Sequence, residues 1–215
     1  MSGFFRDPDA FRALGELVPS LYAGKGLADA VRVWVVGCAT GEEAYSIAIL
    51  LSEHAATLAT PAPVQIFATD IDETGYAAAR DALYSAAAAG GLQAERLGRF
   101  FVREAEGFRV RESLRVGVLF AVHDVTRDPA FPRLDLVSCR GLLVHLQPAA
   151  REQVMRTFHA ALRPGGILFL SAGDSAGGDG GFAPAAGAHP IYRRAPLPTL
   201  AGVENLTDAA PGSRT

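Results

Sequence analysis

The chain has 215 residues, 49% of them apolar, with 20 basic residues against 23 acidic ones and a net charge of −3. That length suits one full-sized α/β domain with a small insertion, and the charge gives no electrostatic case for binding nucleic acid. No apolar run approaches the roughly 20 residues of a membrane helix, and Cys38 and Cys139, far apart and in no Cys-x-x-Cys pair, argue against a disulfide framework and a structural zinc site.

The N-terminus, MSGFFRDPDAF, lacks the basic-then-apolar layout of a signal peptide, so a soluble cytoplasmic protein is expected. Asp7-Pro8 starts a helix, with Asp7 as N-cap and Pro8 at the first helical position; Phe11, Leu14, Leu17 and Val18 follow at helical spacing. Ala30–Val36 is apolar on nearly both faces, as a central parallel strand is. Gly37–Gly41 is a short loop. Thr40 with Glu43 resembles a capping box opening a buried helix that runs to about Ala56. Val64–Thr69 reads as the second strand, ending at Asp70, and helices follow at about Glu73–Tyr84 and Leu92–Phe100.

Phe101–Arg103 and Phe108–Arg111 alternate around a turn at Glu106-Gly107, which predicts a small antiparallel hairpin inserted at about 100–116. Gly117–Val122 returns to a core strand, and Leu134–Cys139 is the next. Pro148 opens a helix to about Leu162, Arg163-Pro164-Gly165-Gly166 stops it, and Ile167–Ser171 is another strand. Asp174–Ala188 reads as a mobile loop, Ile191–Arg194 as a last strand, and 196–215 as a disordered tail after a domain spanning 1–195. Strands alternating with helices at this spacing predict an α/β, doubly wound, mostly parallel sheet, with ligands at the carboxyl ends of the strands.

The chemistry clusters at those ends. Glycines in Gly37-Cys38-Ala39-Thr40-Gly41 let the backbone approach a ligand, and the following helix aims free N–H groups at it. The G-x-G-x-x-G spacing and a Walker lysine are both missing, and Glu42 and Glu43 disfavour a pyrophosphate. They suit a cofactor carrying an ammonium and a sulfonium, or simply cap a helix dipole. Asp70 can accept both hydroxyls of a ribose, with Asp72 the better N-cap for the next helix. Asp124 can accept from an adenine amino group or shape the turn before Asp128-Pro129. Arg140 and Gly141 follow the fourth core strand, where an arginine can grip a carboxylate with two hydrogen bonds or make a surface salt bridge.

Taken together, SGFFRDPDAF, VWVVGCATGEEAYSIAILL, FATDID, FRVRESLRVGVLFAVHDV, DPAFPRLDLVSCRGLLVHL and FHAALRPGGILFL resemble the chemotaxis receptor methyltransferases, the CheR family, collinearly over about Ser2 to Arg194. The resemblance implies a Rossmann-like sheet of the class I methyltransferase type. It also implies S-adenosylmethionine as methyl donor, S-adenosylhomocysteine as product and receptor glutamates as acceptors. By motif, cofactor contacts fall on Ser2, Arg6, Gly37, Ala39, Glu43, Asp70, Asp124, Val125, Arg140 and Gly141, with no metal. The hairpin corresponds to the family's small β-subdomain, which docks on receptors.

Three departures stand out. The family usually carries a helical domain before the Phe-Phe-Arg motif, where this chain starts. Its Cys-Arg-Asn reads Cys139-Arg140-Gly141, and its usual tyrosine four residues later is His145. Methylating a glutamate needs little acid–base help, since its unperturbed pKa is roughly 4.3. Catalysis then rests on orientation, with Arg6 and Arg140 the positioning candidates. His145 either packs in its apolar run or serves as a base for another nucleophile. Receptor-glutamate methylation is therefore weighed against two alternatives: a sensory module that binds S-adenosylmethionine or S-adenosylhomocysteine without transfer, and a methyltransferase retargeted to another acceptor.

Overall fold

The computed structural model describes residues 3–176 and 181–195; Ser2, part of the expected 174–188 loop and the tail 196–215 lie outside them. In chain order the elements are α1 (Pro8–Tyr22), β1 (Val31–Val36), α2 (Glu42–Ala55), β2 (Val64–Asp70), α3 (Glu73–Asp81) and β3 (Leu83–Tyr84). Next come the short α4 (Ala86–Ala89), α5 (Ala94–Phe100), β4 (Phe101–Glu104), β5 (Gly107–Val110), the single-turn α6 (Glu112–Arg115) and β6 (Val118–Val122). The chain continues with β7 (Leu134–Cys139), a 3-10 turn (Leu143–His145), α7 (Pro148–Ala161), β8 (Leu162–Leu170), β9 (Phe182–Pro184) and β10 (Ile191–Arg194).

The expected doubly wound α/β sheet is present. Its order is β6-β2-β1-β7-β8-β10-β9. The first five strands pair in parallel, and β10 runs antiparallel to both neighbours. The chain builds outward from β1 through β2 to β6, then returns to place β7 on the other side of β1. That reversal opens a crevice above the carboxyl ends of β1 and β7, where open α/β sheets take their ligands.

Two apolar clusters cover the faces. Val33, Val35, Ile47, Ile49, Leu51, Leu14 and Phe169 pack α1 and α2 on one side; Trp34, Val137, Leu168, Val154 and Phe158 pack α7 on the other. The all-round apolarity of α2 reflects burial of Ala44, Tyr45, Ile47, Ala48, Ile49 and Leu51. Trp34 stays satisfied in the interior because its Nε1–H donates to Thr69 Oγ1 at 2.9 Å. Asp7 and Asp72 cap their helices as expected, accepting from the amides of Ala10 and Thr74.

Several expectations are corrected. The Thr40–Glu43 capping box does not form: Gly41 is the N-cap of α2, and Thr40 Oγ1 donates instead to Glu42. α3 ends at Asp81, because Ala82 turns left-handed (φ 57°) and releases Leu83–Tyr84 to pair with β5, so the hairpin becomes a three-stranded sheet. The strand expected in the core after Gly117 is the sheet's edge, with Leu119 and Val122 exposed. Arg163–Gly166 does not stop before a strand; it lies inside β8 as a register shift opposite β7. The expected loop 174–188 contains β9, which pairs with β10.

The inserted hairpin, expected to stand apart from the core, has its base within it. Tyr84, Phe100, Phe101 and Val110 are buried in the main cluster, and the Phe4 ring meets Tyr84 and Phe101 edge-on at 4.9 and 5.4 Å. Only its outer face is exposed. There Arg109 is bound to Glu104 and Asp81, and those carboxylates hold its guanidinium protonated well beyond the usual range.

Candidate functional site

The loop after β1 is built so that only certain residues fit. Gly41 has φ 91°, and a Cβ there would lie 2.9 Å from Ala79 Cβ and 3.0 Å from the Tyr84 hydroxyl. Gly37 is also left-handed, and the amides of Gly37 and Cys38 both donate to Thr69 O, tying the loop to β2. Ala39 has φ 45°, a conformation that costs a Cβ-bearing residue roughly 1–3 kcal/mol and persists where the surroundings over-determine it. What holds it is Asp70: Oδ2 accepts Ala39 N–H at 2.7 Å, while Oδ1 accepts from Asp72 N at 3.0 Å. A carboxylate has about four acceptor positions, so Asp70 shapes the loop and keeps lone pairs for a diol.

From the other side, Tyr84 of β3 donates its hydroxyl to Thr40 O at 2.8 Å. The loop is thus pinned by the sheet and by the inserted subdomain together. Burial drives the Tyr84 hydroxyl pKa far up, keeping it a donor.

Glu43 rises from the first turn of α2 toward β7. Oε1 accepts from Ser138 Oγ at 2.7 Å, and Oε2 lies 3.7 Å from Arg140 Nη1. Burial pushes the carboxyl pKa above its ordinary value, while the Ser138 hydrogen bond and the charges of Arg140 and Arg6 oppose that shift. Burial likewise raises Cys38 to about 12, so its thiol is inert.

Arg140, read either as gripping a substrate carboxylate or as making a surface salt bridge, is enclosed. Only 7% of its side chain is exposed, and it lies between the rings of Phe11 and Phe169 at 5.2 and 4.6 Å. Nη1 donates to Arg6 O at 2.8 Å, and Asp7 lies 3.6 Å from Nη2. Arg140 therefore organises the N-terminal segment and Glu43. Two rings and a backbone carbonyl surround the guanidinium because α1 folds back across the end of β7.

Gly141 is left-handed (φ 88°), and a Cβ placed there would meet nothing within 4 Å. His145, read either as packing in its apolar run or as a catalytic base, does not pack: it is exposed on the 3-10 turn. Asp124 closes its own turn: Oδ1 accepts from Thr126 N at 2.9 Å and Thr126 Oγ1 at 2.6 Å, which lowers its pKa. Val125 is buried in the α7-side cluster, so only its backbone is available to a ligand. Arg6 is exposed and borders a cleft of about 530 Å³ also lined by Phe4, Asp7, Leu50 and Arg96. Gly37, Asp70 and Gly141 do not line that cleft, so it adjoins the carboxyl edge without being part of it.

Gly37, Ala39, Glu43, Asp70, Arg140 and Gly141 thus meet at the carboxyl ends of β1, β2 and β7. A glycine-bearing loop tied to β2, a carboxylate with spare acceptors and a largely buried anion fit a nucleoside bearing cationic groups.

The family model for the CheR methyltransferase SAM-binding domain matches residues 1–180. The chain belongs to the CheR family. S-adenosylmethionine is the cofactor this domain binds. Among similar proteins, chemotaxis protein methyltransferase 1 of Pseudomonas aeruginosa is 32% identical over 178 residues, 80% of this chain and 65% of the relative. The chemotaxis protein methyltransferase of Salmonella typhimurium is 31% identical over 175 residues, 79% of this chain and 58% of the relative. An uncharacterized 104.1 kDa protein of Rhodobacter capsulatus is 36% identical over 176 residues, 81% of this chain and 18% of that protein. The chain spans less than two thirds of the length of these curated relatives. No helix among the described residues is long and apolar enough to cross a membrane.

Reading the residues alone misses Ser138 and Tyr84. Ser138 leaves a trace, as a polar interruption in the apolar strand LDLVSC. Tyr84 leaves none, because its role depends on a strand that forms only against β5.

Proposed function

We propose that this domain transfers a methyl group from S-adenosylmethionine to glutamate side chains of a chemoreceptor or related signalling protein. The observation that carries the reading is the CheR family match joined to the carboxyl-edge constellation of Ala39, Glu43, Asp70 and Arg140. When bound, the cofactor supplies an electrophilic methyl on a sulfonium. Asp70 would hold the ribose, Asp124 and the Val125 backbone the adenine, and Glu43 the cationic end, with Ser2, Arg6, Gly37 and Gly141 around them. The acceptor carboxylate is ionised at neutral pH, so no side chain has to remove a proton. What remains is alignment, and alignment alone can supply ~7–11 kcal/mol of barrier reduction. Arg140 serves it indirectly, by fixing Arg6 and Glu43 through the 2.8 Å and 3.7 Å contacts. The exposed outer face of the β3–β5 sheet is the surface for the protein partner.

The test is a labelled-methyl assay on receptor fragments, with base treatment of the product. Base-labile label on the fragment is expected; stable label, or none, rejects glutamate esterification. A second reading is a sensory module that binds cofactor without transfer. The open Gly141 and exposed His145 favour it, since neither offers a buried group to position an acceptor. Tight S-adenosylhomocysteine binding without labelling of any acceptor would select it.

A further inference from the structure

Asp174 lies in the turn after β8, where its amide donates to Ser171 O at 3.0 Å. Its side chain is 1% exposed, yet among the described residues neither carboxylate oxygen has a hydrogen-bond partner. A buried carboxylate in that condition calls for an explanation, because uncompensated burial of a charge is costly. The cation facing it is Arg151 of α7, with Nη2 3.7 Å from Oδ1.

Arg151 has a second task. Nε and Nη2 both donate to the carbonyl of Leu143, at 3.3 and 3.0 Å. Leu143 opens the 3-10 turn that links Gly141 to α7. Within that turn the amides of His145 and Leu146 bond to Leu142 O and Leu143 O at 3.0 and 3.2 Å. Leu143 is buried in the α7-side cluster with Leu142 and Leu146 packed against it, while Val144 is 60% exposed. The guanidinium adds a polar tie from α7 to the turn's backbone, and Asp174 faces the guanidinium.

The location separates this pair from the cofactor-loop contacts. β7 stands between β1 and β8, so the loops after β1 and β2 lie on one side of its carboxyl end and Asp174 on the other. Asp70, Thr69 and Tyr84 hold the cofactor loop without help from Arg151 or Asp174. The charge of Asp174 nevertheless reaches the end of β7, where it adds to burial and Glu43 in raising the Cys139 thiol.

Resting on the methyltransferase reading above, we propose that Arg151 and Asp174 are positioning residues for the methyl acceptor: the pair fixes the Leu142–Leu146 turn from the β8 side, whereas the cofactor loop meets that turn at Leu142, beside Gly37. Neither side chain touches the reacting atoms. They set where the backbone and His145 stand when an acceptor segment enters.

Three measurements on Asp174→Asn and Arg151→Gln test this, with Arg151→Lys as the conservative control. Hydrogen exchange at the His145 and Leu146 amides should quicken by about fivefold or more, with β7 amides unchanged. Affinity for S-adenosylhomocysteine should stay within about twofold, while the acceptor KM rises about fivefold and kcat falls less. Arg151→Lys, which can still reach the carbonyl, should recover part of the loss. Unchanged exchange at the two amides overturns the proposal, as does a rise shared equally by β7 and β8. An unmoved acceptor KM also overturns it. If the wild-type chain labels no acceptor, the methyltransferase reading fails, and the exchange data alone then decide whether the pair holds the turn.

Discussion

Two carboxylates are drawn into opposite ends of the same sheet, and the chain treats them differently. Asp135, at the amino end of β7, is 0% exposed and accepts from Arg32 N at 2.7 Å. Lys25 Nζ lies 3.2 Å away, and Arg163 makes a direct ion pair. Glu43, at the carboxyl end, receives one hydroxyl hydrogen bond and faces a guanidinium at 3.7 Å. An anion surrounded by donors is part of the scaffold. An anion with acceptor positions left over is available to a ligand. Burial and charge alone do not mark a binding residue.

The sharpest break of that comparison is Asp135→Ala. It leaves Lys25 and Arg163 without their shared partner and should cost about 3–5 kcal/mol of stability in urea unfolding. Cofactor affinity of the folded protein should not change, because the residue stands at the opposite end of the sheet. A loss below ~1 kcal/mol would put Asp135 and Glu43 in the same class. Next in size is Asp70→Ala, which removes the acceptor of Ala39 N–H together with the proposed ribose partner. It should weaken S-adenosylhomocysteine binding by about 1–3 kcal/mol in calorimetry; unchanged affinity would move the ribose elsewhere.

Glu43 sharpens the contrast through pH. Its folded pKa is raised, chiefly by burial, so the folded chain binds this proton more tightly than the unfolded chain does. Its contribution to stability is therefore fully present below the ordinary glutamate value and is lost as pH rises through the folded one. Affinity for S-adenosylmethionine should move oppositely, weakening as the pH falls through the raised value and neutralises the anion. Glu43→Gln should abolish that pH dependence in titrations across the acid range and bind weakly throughout. The smallest structural effect is expected from Gly141→Asn. Its left-handed φ suits asparagine, and no atom lies within 4 Å, so stability should change by under about 0.5 kcal/mol. Paired with His145→Tyr, it should raise transfer to receptor fragments if the site has decayed and lower it on the true acceptor if the site has been retargeted.

The hairpin teaches a similar point. Its alternation is legible, and β4 and β5 form where expected. Its independence from the core is not a property of the alternation. Phe101 and Val110 point inward because Phe4 and Tyr84 are waiting there, on segments distant in sequence. β6 shows the reverse: Val118–Val122 carries the apolar run of a core strand yet lies at an edge, since strand order is set by the reversal between β6 and β7.

The sequence by itself determined the parallel strands, the glycine turn after β1, the carboxylate closing β2 and the caps at Asp7 and Asp72. Each depends on residues within a few positions of one another, through backbone sterics, side-chain period or a local hydrogen bond. Tertiary structure alone decided that Arg140 is enclosed by Phe11 and Phe169, that Ser138 faces Glu43, that Tyr84 holds Thr40, and that Asp174 stands behind Arg151. The Arg140, Ser138 and Tyr84 contacts join residues far apart in the chain, and Asp174 meets Arg151 only after β8 has paired in parallel with β7. Whether a charged side chain ends as clamp, scaffold or ligand depends on which donors arrive from those distant elements, and no local pattern records their arrival.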